Sequence, residues 1–101
     1  MNVTISAYLK SRRYNETLYG RLVENIKKHC KRYAVEYPEL EIAVSMSAKY
    51  QTPRIIISNN DEIPERIGGI QDAIIDALDE VGFSFVDSED RSGYYAIEFK
   101  D

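Results

Sequence analysis

The sequence predicts an α+β fold, a ferredoxin-like two-layer sandwich in which two helices cover one face of an antiparallel sheet. Three observations lead there. Alternating or continuous apolar runs mark strands at about 2–9, 40–46, 54–58, 83–87 and 94–99. Two longer segments, one from Asn15 to about Tyr37 and one between Asn59 and Gly82, instead repeat apolar residues at helical spacing. Their order, β-α-β-β-α-β plus an extra C-terminal strand, contains the split βαβ arrangement. A chain of 101 residues without a linker or an internal repeat reads as a single α+β domain over residues 1–101.

Each element has its own local reason. In the first strand Val3, Ile5, Ala7 and Leu9 alternate with Thr4, Ser6 and Tyr8, the period of a half-buried strand. The basic stretch Lys10-Ser11-Arg12-Arg13 follows. Asn15 is a suitable N-cap for the first helix, and Pro38 discourages its continuation. Leu40, Ile42, Val44 and Met46 alternate with Glu41, Ala43, Ser45 and Ser47 in a second strand. A turn near Tyr50 to Pro53 leads into the third, Arg54–Ser58. Asn59-Asn60-Asp61 offers cap chemistry for a second helix with Pro64 in its first turn, and Gly82 is a natural stop. Phe83–Asp87 and Tyr94–Phe99 close the chain as strands joined by the polar stretch Ser88–Gly93.

Charge is divided unevenly along this order. Residues 1–50 hold nine Lys/Arg against five Asp/Glu, a balance of +4, while residues 51–101 hold four against twelve, a balance of −8. The net charge of −4 conceals the division. On the first helix Arg21, Lys27, Lys28, Lys31 and Arg32 oppose an apolar arc that includes Leu18, Tyr19, Leu22, Ile26, Cys30, Tyr33 and Tyr37. On the second, Glu65, Asp72, Asp76 and Asp79 oppose Ile63, Ile67, Ile70, Ile74, Leu78 and Val81, with Glu62 and Glu80 nearby. Two helices on one sheet face would therefore display a cationic ridge beside an anionic one. Charges opposite an apolar stripe are also what any solvated helix shows. Like charges at the spacing of Asp72, Asp76 and Asp79 cost only about 0.2–0.5 kcal/mol per pair, which a structural role alone tolerates.

The motifs of several chemistries are missing. The one His and the one Cys, His29 and Cys30, are adjacent, so on a helix their side chains diverge by about 100° and do not form a nucleophile–base pair. They cannot supply a zinc set, and no loop is dense in oxygen ligands; no cofactor or metal is expected. Gly68-Gly69 lies inside a helical pattern rather than at a strand-to-helix phosphate turn. Arg91–Phe99 shares Gly93, Tyr94, Ile97 and Phe99 with the aromatic strand of RNA-recognition motifs. It departs from that pattern with Ser92 for the basic residue, Tyr95 for a small one and Ala96 for an aromatic. No apolar run approaches the roughly 20 residues of a membrane span and no secretion signal opens the chain, so a cytoplasmic location is the expectation.

These readings leave a small non-enzymatic protein-binding module, an inhibitor or adaptor of the kind that viruses also encode. It would dock through its charged helix faces or through an open sheet face of small residues, Thr4, Ser6, Ala43, Ser45 and Ser47. The candidate contact residues are Glu65, Asp72, Asp76 and Asp79, with Tyr8 and Tyr94 as aromatic anchors. Together with Asp87, Glu89 and Asp90 the acidic set could mimic a nucleic acid. The expected partner is another protein, with a second copy of the chain also a candidate and no membrane involved. The competing class is RNA or DNA binding by Lys10, Arg12, Arg13, Lys27, Lys28, Lys31 and Arg32.

Overall fold

Nine elements follow one another as β1 (Asn2–Ile5), α1 (Ala7–Lys10), α2 (Glu16–His29), α3 (Lys31–Glu36), β2 (Leu40–Met46), β3 (Pro53–Asn59), α4 (Ile67–Val81), β4 (Ser84–Arg91) and β5 (Tyr94–Lys100). The computed structural model describes all 101 residues. Its five strands form one mixed sheet in the order β1-β2-β3-β5-β4, with β1 parallel to β2 and the other three pairings antiparallel.

The α+β class holds, but the ferredoxin-like strand arrangement does not. In that arrangement a strand of one βαβ unit separates the strands of the other. Here β1-α2-β2 is an unsplit crossover, since Val3 pairs directly with Ile42. The second unit, β3-α4-β4, is split only by its own β5. Residues 1–50 therefore build one side of the sheet and residues 53–101 the other.

Helices α2 and α4 pack on one sheet face and against each other. A single 21-residue core cluster joins Leu22, Ile26, Ile70 and Ile74 to Ile42, Val44, Ile55, Ile57 and Ile97. The segment formed by α2 and α3 runs antiparallel to α4, because Tyr33 of α3 meets Gly69 near the start of α4 while Asn25 of α2 meets Ala77 near its end. At the β4–β5 end Phe83 packs edge to face with both Tyr19 and Phe99, and Tyr19 lies tilted to Phe99, with centroids 4.9–6.3 Å apart.

Four local expectations are corrected. The strand expected over 2–9 ends at Ile5, because the Ser6 hydroxyl accepts from Leu9 N at 3.1 Å and starts α1 in good helix formers. Leu9 still reaches the core, now from a helical turn. The helix expected over 15–37 begins as foreseen, with Asn15 Oδ1 accepting from Leu18 N at 3.0 Å. It breaks at Cys30, where Tyr33 seats against Gly69, although no Gly or Pro announces the break. The second helix starts at Ile67 rather than near Asp61. Asn60 and Asp61 adopt positive φ (56° and 63°), and Asn59 bridges to Glu62, so their polar chemistry serves a turn. Lastly, the polar link 88–93 is mostly strand: β4 continues to Arg91 and only Ser92-Gly93 turns the chain, with Gly93 at φ 87°.

Gly82 ends α4 as expected. At φ 96° its N–H reaches the carbonyls of Leu78 and Asp79, and Phe83 N donates to Leu78 O at 2.9 Å.

Candidate functional site

The acidic residues lie on both layers of the acidic half, with Asp87 and Glu89 on the open sheet face and the α4 aspartates on the helix layer. Asp72, Asp76 and Asp79 are exposed along α4, and β4, which follows it in the chain, carries Asp87, Glu89 and Asp90. None of the three α4 aspartates has a cationic group within 4.0 Å. Glu65 is exposed too, but in the turn before α4 rather than on the helix face with them. Glu80 turns away from this group toward α2. Its Oε2 accepts from His29 Nε2 at 2.7 Å and from Asn25 Nδ2 at 3.0 Å. The His29 hydrogen bond holds the Glu80 carboxyl below the ordinary carboxylate range.

The cationic residues divide into two groups. Lys10, Arg12 and Arg13 precede the N-terminus of α2, whereas Lys27, Lys28, Lys31 and Arg32 lie at its far end and in α3. A 14-residue helix separates them by about 21 Å at 1.5 Å per residue. Several members are already engaged. Arg12 stacks over the Tyr8 ring at 4.9 Å and donates to its hydroxyl at 3.0 Å. Arg32 does the same with Tyr33, at 4.8 Å and 2.9 Å. Lys27 pairs with Glu24 at 3.3 Å. Lys49, beyond these two groups, lies over the Tyr50 ring at 5.1 Å.

Tyr8 and Tyr94 occupy opposite ends of the sheet. Tyr8 belongs to α1, beside the β2–β3 loop, and its hydroxyl also accepts from Gln51 Nε2 at 2.9 Å. The Gln51 and Arg12 hydrogen bonds keep the phenol below its usual range. Tyr94 is half-buried at the start of β5, paired with Arg91. Of the small residues expected on the open sheet face, Thr4 is exposed and Ala43 and Ser45 are half-buried. Ser6 has left the strand to cap α1, donating to Ser45 Oγ at 2.8 Å, and Ser47 is buried in the β2–β3 loop.

Two other features complete the surface. On the open face Arg54, Asp87, Ser88, Glu89, Ala96 and Glu98 line a small cleft of about 30 Å³. Arg54 faces Glu98 in register, and Glu98 faces Asp87, so one cation stands at the end of an acidic row. Its Nε is buried without a protein partner. Cys30 is fully buried where α2 ends, and burial pushes its thiol up to about 11, so little thiolate forms near neutrality. His29, adjacent in sequence, is turned to Glu80.

Sequence reasoning missed the exposed pair Phe85-Val86 on β4 and the interhelical contact of His29 with Glu80. The first had a signal in the polar run that follows it, which leaves a strand with nothing to bury. The second had none, because it depends on which turns of α2 and α4 meet. No His, Cys, Asp and Glu side chains gather in threes as metal ligands, and no helix is long and apolar enough to cross a membrane. No protein-family model matches the chain, and no curated protein matches it.

Proposed function

We propose that this chain is a small non-enzymatic protein-binding module, an inhibitor or adaptor, that captures a basic partner through its acidic half. One observation carries the reading: ten of the twelve acidic side chains in residues 51–101 have no Lys, Arg or His side chain within 4.0 Å, the exceptions being Glu80, beside His29, and Glu89, beside Arg91. Unpaired like charges repel one another, and the repulsion is relieved when an oppositely charged surface docks. A concentrated field of one sign also steers encounter and raises the association rate, in a way that salt weakens.

The experiment is affinity capture from the native host with the wild-type chain and with Asp72→Lys/Asp76→Lys. The double reversal abolishes capture if the α4 ridge is the contact; unchanged capture removes that ridge from the interface. Retention that falls steeply with salt supports the electrostatic reading. The competing nucleic-acid reading is weakened by the division of the cationic residues into two groups and by the engagement of Arg12, Arg32 and Lys27. Retardation of RNA or DNA at low ionic strength, lost in Arg13→Glu/Lys28→Glu, would restore it.

A further inference from the structure

The outer edge of β4 is an uncovered sheet edge eight residues long, with no strand beyond it. None of its residues is buried. Phe85 and Val86 are 36% and 45% exposed, at the point where the pairing with β5 shifts register. The opposite edge, β1, has only four residues. A free edge displays unpaired backbone N–H and C=O groups and is a template for another strand unless something blunts it. The bulge and the charges of β4 are such devices, and their sign decides what they exclude.

The acids lie on both faces of this edge. Asp87 and Glu89 stand opposite Glu98 and Ala96 on the open face, while Asp90 stands opposite Tyr95 on the helix face. A second copy pairing β4 with β4 antiparallel about Ser88 would set Asp87 against Glu89, and like charges directly opposite destabilise a pair. An incoming strand with Lys or Arg at alternate positions meets the unpaired Asp87 with complementary charge and competes with Arg91, 2.9 Å away on the same strand, for Glu89. Its apolar residues find Phe85 and Val86 at the bulged end.

We infer that β4 accepts an extended, basic segment of a partner protein as a sixth strand of the sheet. Backbone hydrogen bonds would supply affinity, and Asp87, Glu89 and Asp90 would select for cationic side chains. The inference rests on the protein-binding reading above and names the edge rather than the α4 ridge as the docking element.

The test titrates the full chain with three fluorescein-labelled decapeptides: alternating Lys-Val, alternating Glu-Val, and the Lys-Val peptide with proline at its two central valines. Strand addition gives the Lys-Val peptide at least about tenfold tighter binding than either of the others, since proline keeps the charge but breaks the ladder. It also slows amide exchange within β4. Asp87→Lys/Glu89→Lys, checked for folding by circular dichroism, loses the Lys-Val peptide and gains the Glu-Val one. Equal binding of the proline peptide reduces the contact to charge attraction and overturns the inference. So does binding of none of the three, which would make these charges a guard against pairing. If the peptides fail while Asp72→Lys/Asp76→Lys still abolishes capture of the host partner, strand addition falls and the protein-binding reading stands.

Discussion

The two halves of the molecule use their charges differently. Among the nine Lys and Arg of residues 1–50, Arg12, Lys27, Arg32 and Lys49 are held by an acid or an aromatic ring within the fold. Among the twelve acids of residues 51–101 only Glu89, with Arg91, and Glu80, with His29, have a basic side chain within 4.0 Å. The basic half sets three of its cations over aromatic rings, a contact carboxylates cannot make, whereas ion pairs are sparse in both halves, so most of the acidic charge faces water. Charge that a fold does not use internally remains available for recognition. The contrast survives folding because the halves are joined side by side in the sheet rather than interleaved.

The comparison can be broken first at the shared core. Ile42 and Ile57 are neighbours across the seam between the halves, both fully buried. Ile42→Ala and Ile57→Ala each lower stability by about 2–5 kcal/mol. Chemical denaturation should show one transition for either variant; two separate transitions would mean that the halves are independent and the seam is not a common core. A sharper contrast comes from two helix glycines. A Cβ on Gly69 of α4 collides with the Tyr33 hydroxyl, whereas one on Gly20 of α2 meets nothing within 4 Å. Gly69→Ala is therefore destabilising by about 1–3 kcal/mol, as for other overpacked sites. Gly20→Ala stabilises by about 0.5–1 kcal/mol through helix propensity. Urea midpoints of the two variants should move in opposite directions.

Smaller effects probe the charges themselves. Asp76 lies one turn from both Asp72 and Asp79, so Asp76→Asn removes two repulsive pairs and raises stability by about 0.4–1 kcal/mol at low salt. The gain should shrink in concentrated salt; a loss instead would mean that Asp76 has a stabilising partner in the fold. The gentlest probe is pH. Glu80 titrates below its usual range chiefly because His29 binds its carboxylate, so this contact stabilises the fold above the ordinary carboxylate range. That contribution disappears as pH falls through the depressed value. Glu80→Gln should flatten the acid limb of the stability–pH profile; an unchanged profile would mean that the His29 contact contributes nothing.

Local chemistry made much of the fold legible. The Asn15 cap, the alternating β2, the apolar run of β3 and the Gly82 stop all depend on neighbouring residues, and all appear as read. The errors fall where local patterns compete or where distant contacts decide. Ala7 and Leu9 fit both a strand and a helical turn, and the Ser6 hydroxyl settled the competition. The polar residues 59–61 suit a cap as well as a turn, and the bridge to Glu62 selected the turn. The run 88–91 has no apolar alternation because neither face of β4 is buried, so nothing marked it as strand. Strand order was beyond local signals altogether. At the surface, the exposure of Asp72, Asp76 and Asp79 followed from helical periodicity, while the placing of Asp87 and Glu89 on the open sheet face required the register of β4.

That topology is what turns a charge inversion along the chain into a polarity across the molecule. Backbone NOEs between neighbouring strands test it most directly. Contacts linking Val3 to Ile42 and Ile57 to Tyr95, with none from β1 to the strands of residues 53–100, are the predicted result. Contacts from β1 to Arg54–Ser58 or to β4 would interleave the basic and acidic halves and contradict the account.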